Sequence, residues 1–172
     1  MQTERKKYIE ELTSNIRDSF EISVPITDMS SIVKKLGGEV KYTQNVTAYE
    51  RVRVCKQKDA FTVFVSSDVT FARANFNVAT ALGHLFLHMG YIINEEKWEK
   101  QNTDAKFSNK EYEEATVFAM FFLMPEDSYR EVLDTYSENT TIFTRKIANH
   151  FNVPLNVAIN RGNTLGLIAY WP

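Results

Sequence analysis

Residues 71–88 read FARANFNVATALGHLFLH, and the rest of the chain is organised around this stretch. Apolar side chains recur at helical spacing through Phe76, Val78, Ala79, Leu82 and Leu85, which predicts an amphipathic helix. On a helix, residues four apart share one face. Thr80, His84 and His88 therefore stack along a single stripe, with Ala81 beside it. Two imidazoles at this spacing are the raw material of a metal site.

Upstream, the Ser66-Ser67-Asp68 cluster marks a turn into this helix. Before it, Val40 and Tyr42, then Val52 and Val54, then Phe61, Val63 and Val65 alternate with polar residues, the period of half-buried strands rich in β-branched and aromatic side chains. They predict a small three-stranded antiparallel sheet over 39–65. The first 36 residues are helical in pattern. Tyr8, Ile9, Leu12, Ile16 and Phe20 space one helix, and a second starts at Asp28 and stops at Gly37-Gly38.

Downstream, Gly90 ends the central helix. Asn94 to Phe107 is polar and aperiodic and reads as a mobile loop, with Trp98 as a hydrophobic anchor within it. Ser108 and Glu111 form a capping box. It opens a helix whose inward stripe is Tyr112, Ala115, Phe118, Ala119, Phe122 and Leu123, closed by Pro125. Three shorter helices are predicted beyond it, over about 126–133, 141–151 and from Pro154 onward.

The 172 residues include 20 Lys and Arg against 22 Asp and Glu, a net charge of −2. That balance provides no general basic field, which argues against direct nucleic-acid binding. Cys55 is the single cysteine, which excludes an internal disulfide framework and fits a reducing compartment. No window reaches the ~18 apolar residues of a membrane span, and the expected location is cytoplasmic.

The residues Arg73, Phe76, Val78 and Ala79, followed by Leu82-Gly83-His84 and Leu85-Phe86-Leu87-His88, resemble the motif helix of the ImmA/IrrE family of zinc metallopeptidases. A second signature agrees: Glu114-Ala115-Thr116-Val117-Phe118-Ala119 running to Leu123-Met124-Pro125. The tail RKIANHFNVPLNVAINRGNTLGLI (residues 145–168) is similar to the family's C-terminal pattern. The resemblance implies an α+β, zincin-like fold in a single domain spanning 1–172. Its parts would be N-terminal helices (1–36), a small sheet (39–65), the motif helix, loop and second signature helix (70–125), and a helical C-terminal part (126–172).

The resemblance also locates the chemistry. Registered on Leu82-Gly83-His84, the first histidine and the glutamate of the family's His-Glu-x-x-His fall at Thr80 and Ala81. Threonine is a poor zinc ligand, and alanine cannot take a proton from metal-bound water. No catalytic pair is intact. The surviving metal-ligand candidates are His84 and Glu114, with His88 an additional one and Glu111, one turn before Glu114, an alternative third ligand. A frame shifted to His84 and His88 regains two imidazoles but puts leucine where the base belongs. Two ligands fall short of the three or four that zinc wants.

The first expectation is therefore a catalytically inactive relative without a dependable zinc site. It would act in transcriptional regulation by binding a phage or mobile-element helix-turn-helix repressor, or a related protein. The alternatives are an active zinc metallopeptidase that cleaves such a repressor, if Thr80 and Ala81 are engineered or compensated, and a DNA-binding regulator using the C-terminal helices.

Overall fold

A computed structural model describes residues 2–44, 52–101, 105–139 and 141–169. Eight α-helices and two small sheets are found among the described residues. Helix α3 (Phe71–Gly83) lies at the centre, capped by the Thr70 hydroxyl, which accepts from the Arg73 amide. Every residue of α3 from Ala74 to Gly83 is buried, including the polar Asn75, Asn77 and Thr80.

The helix does not continue regularly to the second histidine. Its last turn, His84–Met89, is π-helical and ends at Gly90 in the left-handed conformation, with φ 81°. Such wide turns are rare, and they concentrate at functional positions. Periodicity does not reveal them, because one widened turn leaves the apolar pattern almost unchanged.

On one side of α3 stands the sheet of β1 (Gly38–Thr43), β2 (Val52–Gln57) and β3 (Ala60–Ser66), in the order β1-β3-β2. Only part of it is antiparallel. β2 and β3 form a hairpin, whereas β1 runs parallel to β3, with Val40 opposite Val63. The reason is the order of connection: β3 enters between the two earlier strands, so β2 takes the far edge. Val54, Phe61, Val63 and Val65 are fully buried towards the helices.

On the other side α3 packs against α5 (Asn109–Leu123), and α1 (Thr3–Ser19) packs against α5 in turn. The α3–α5 approach is close. A Cβ on Gly83 would come within 2.8 Å of the Ala115 Cα and carbonyl oxygen. The capping box is present: Ser108 and Glu111 exchange side-chain and backbone hydrogen bonds at the start of α5. Helix α2 (Met29–Lys35) starts at Asp28, whose carboxylate accepts from the Ser30 amide.

The segment from Asn94 to Phe107 is not simply a loop. Asn94 caps the short helix α4 (Glu95–Glu99), and residues 102–104 lie outside the described residues. Trp98 is buried, edge-on to Tyr91 and under the Lys56 ammonium. Phe107 turns inward onto the π-helical turn, against His84 and His88.

The C-terminal part comprises α6 (Glu126–Thr135), a small hairpin of β4 (Ser137–Glu138) and β5 (Thr141–Ile142), then α7 (Thr144–His150) and α8 (Leu155–Thr164). Arg161 ties it to the core. It is 1% exposed, donates to the Met124 carbonyl at the end of α5, and reaches Glu10 on α1. A guanidinium among the last carbonyls of a helix meets their partial negative charge. Among the described residues no helix is long and apolar enough to cross a membrane.

Candidate functional site

Helix α3 and the π-helical turn carry Thr80, Ala81, His84 and His88, and their side chains are engaged with neighbouring groups instead of converging on one point. The Thr80 hydroxyl donates to the Phe76 carbonyl one turn back, at 3.0 Å. Ala81 is fully buried. Neither presents a ligand or a base.

His84 is fully buried and stacked on Phe107, with ring centroids 3.8 Å apart and the Tyr112 ring edge-on at 4.6 Å. Its Nδ1 lies 3.2 Å from His88 Nδ1. His88 Nε2 in turn lies 3.3 Å from the Glu114 carboxylate. An ionised carboxylate only accepts, so His88 Nε2 carries the proton and its Nδ1 is the acceptor. His84 Nδ1 must then be the donor. The consequence is a bare lone pair on His84 Nε2, buried and without a hydrogen-bond partner among the described residues.

The relay ends on a cation. Arg5, on α1, donates to the same Glu114 oxygen from Nε at 3.0 Å and from Nη2 at 2.5 Å. Burial works to raise the Glu114 pKa, but hydrogen bonds from Arg5 and His88 outweigh it and hold the carboxyl below its usual value. Burial lowers both histidines. His84 is held down to about 3, with repulsion from His88 as a second cause. His88 is also lowered by burial, against the opposing pull of Glu114.

Glu111 is the other candidate third ligand. Its carboxylate is committed to the Ser108 amide and hydroxyl at 2.7 and 2.8 Å. It is Glu114 that meets His88. The structure thus joins His84, His88 and Glu114 in a line, not around a point. Arg5 and Phe107 belong to the same cluster and were not foreseen. Arg5 sits in the charged run Glu4-Arg5-Lys6-Lys7, which reads as a solvated face, and Phe107 ends a polar segment.

The fit to zinc follows from these contacts. One atom suits a metal, the orphaned Nε2 of His84. The others do not: Thr80 is bonded to its own helix, Glu114 is held by Arg5 and His88, and Phe107 covers the His84 ring. Among the described residues no three His, Cys, Asp or Glu side chains converge as a metal-binding group. The residues do not fit a resident zinc ion.

Beside Thr80 opens a cleft of about 640 Å³. Asn77 and Thr80 of α3, Tyr112 and Thr116 of α5, and Asn156 and Asn160 of α8 line it. Val52, on edge strand β2, lies on its sheet side. Arg73 and Asp68 add one charge of each sign, and Val69, Phe76, Met120 and Val157 make part of the wall apolar, so the cleft combines hydrogen-bonding groups with apolar surface.

Comparison with known proteins agrees with this architecture. A family model described as the IrrE N-terminal-like domain, peptidase M78, matches residues 35–163. Among solved structures, a Mycobacterium tuberculosis transcriptional regulator is similar, with a TM-score of 0.54 and 13% identity. The match covers 90% of this chain and 46% of that one, so this chain spans about half its length. At that identity the likeness concerns the fold alone. No curated protein matches the sequence.

Proposed function

The chain belongs to the IrrE N-terminal-like family of peptidase M78 domains, the ImmA/IrrE metallopeptidases, and from that premise we propose that it is a non-catalytic member that binds a protein instead of cutting it. The observation that carries this reading is the pair Thr80 and Ala81, one hydroxyl bonded to the Phe76 carbonyl and one methyl fully buried. A metallopeptidase needs a ligand and a proton acceptor at these two positions. This chain has neither.

What remains usable is the cleft. The exposed Asn160 carboxamide can offer a donor and an acceptor to a polypeptide backbone, and β2 borders the same opening. Edge strands bind extended segments through main-chain hydrogen bonds. The occupant we propose is a helix-turn-helix repressor of a phage or mobile element, or a related regulator, so that the chain acts in transcriptional regulation. Membership of the family supports this assignment. The cytoplasm, where such repressors work, is the proposed location.

A second reading, an active zinc peptidase, has one observation in its favour: the buried, unpartnered Nε2 of His84. One experiment separates the two. The purified full chain is mixed with a purified helix-turn-helix repressor, with and without added zinc, and followed by size-exclusion chromatography and gel electrophoresis. The proposal expects a complex containing intact repressor under both conditions. Zinc-dependent cleavage that a chelator abolishes would overturn it.

A further inference from the structure

The positive charge that Glu114 meets comes from the other end of the chain. Arg5 lies on α1, ahead of the family-matched residues 35–163. Two of its nitrogens and His88 Nε2 converge on one carboxylate oxygen, Glu114 Oε2. The Glu114 side chain is 9% exposed, and the Arg5 side chain 35%. A carboxylate this enclosed is costly without a compensating cation. In a zinc peptidase of this family the metal would provide that charge.

The position of Arg5 is set by packing. Helix α1 buries Ile9, Thr13 and Ile16. At its far end Arg17 donates to the Phe121 and Phe122 carbonyls of α5. The helix is thereby pinned along α5 at both ends, with Arg5 delivered to Glu114. A shallow opening lined by Gln2, Arg5, Lys110, Glu113 and Glu114 lies over the pair.

We infer that Arg5 is a built-in counter-cation that takes the carboxylate a metal would need, so that α1 plugs the site against zinc independently of Thr80 and Ala81. Glu114 Oε2 already accepts three N–H donors, so a metal would have to use Oε1, and the fixed guanidinium beside it repels a divalent ion at the same place. Restoring the motif residues alone therefore restores only a weakened site.

This inference rests on the metal-free reading above, but it fails by a different observation. The full chain is prepared as the double variant Thr80→His, Ala81→Glu and as the same double variant with Arg5→Ala. Zinc affinity is measured for each by competition with a chromophoric chelator. Releasing a charge-assisted hydrogen-bonded pair predicts tighter zinc binding with Arg5→Ala, on the order of 10- to 100-fold. Arg5→Gln, which keeps a polar side chain over Glu114, provides the comparison if Arg5→Ala does not fold, as judged by thermal unfolding.

Equal zinc affinity with and without Arg5 would overturn the inference. So would the absence of zinc binding in both variants, since something other than Arg5 would then bar the metal. Neither result bears on whether the unaltered chain cleaves a repressor, which is where the non-catalytic reading stands or falls.

Discussion

Two buried histidines whose charged forms are disfavoured are the main chemical peculiarity at the residue scale. His84 is held down to about 3 by burial and by His88, and His88 is lowered too. In the unfolded chain both take up a proton near the ordinary value of about 6.5. The unfolded state therefore binds more protons between about pH 6.5 and 3. Stability is full above 6.5 and falls as the pH drops through that window. His84 alone contributes a slope of about 1.4 kcal/mol per pH unit, and His88 acts in the same direction. Glu111 and Glu114, whose folded values are lowered, add their losses only below their unfolded values near 4.5. Urea unfolding at pH 7, 6 and 5 isolates the histidines. The free energy should fall across this range in the unaltered chain, and less steeply in His84→Phe, which keeps a ring against Phe107. A flat profile would contradict the assignment.

At this scale the candidate site was half legible. Thr80, Ala81, His84, His88 and Glu114 could be placed because they fall within motifs of fixed spacing. Arg5 could not, because it joins Glu114 from 109 residues away and its neighbours in sequence are ordinary solvated charges. Nor could Phe107, whose stacking on His84 depends on the path of an irregular segment.

The elements themselves were set by local chemistry. Asp28, Ser108 with Glu111, Gly90 and Pro125 each act where their backbone preferences dictate, and the helices start and stop at them. What local chemistry does not encode is pairing. β1, β2 and β3 could be recognised as strands from alternation, yet the parallel β1–β3 register depends on which strand enters between the others. The π-helical turn at His84 is equally invisible, since one widened turn does not alter the apolar pattern from which the helix is read.

The contact between α3 and α5 carries the prediction at this scale. Glycine is required at position 83 because a Cβ would press into Ala115 backbone atoms that cannot move independently. Gly83→Ala gains about 1 kcal/mol of helix propensity but incurs overpacking of about 1–3 kcal/mol. The net loss, at roughly 2–4 °C per kcal/mol for a chain of this size, should lower the thermal midpoint by a few degrees. A raised midpoint in a calorimetric scan would show that the helices are not in contact there.

For the whole molecule, the site is a meeting of elements distant in sequence. Helix α1 brings Arg5, α3 and its π-helical end bring Thr80 to His88, the segment before α5 brings Phe107, and α5 brings Glu114. Together they build a chain of hydrogen bonds, Arg5 to Glu114 to His88 to His84, among buried side chains. The same scaffold leaves the adjoining cleft beside Thr80 open. On the reading proposed above, that cleft is where a protein partner would bind.

The central claim is that this arrangement holds no resident zinc. The most direct test is the zinc content of the purified full chain by elemental analysis, after incubation with zinc and exhaustive dialysis, with His84→Ala and Glu114→Ala alongside. The account predicts well under one zinc per chain, unchanged by either substitution. One zinc per chain, lost in both variants, would mean that His84 and Glu114 coordinate a metal after all and that the relay described here gives way to it.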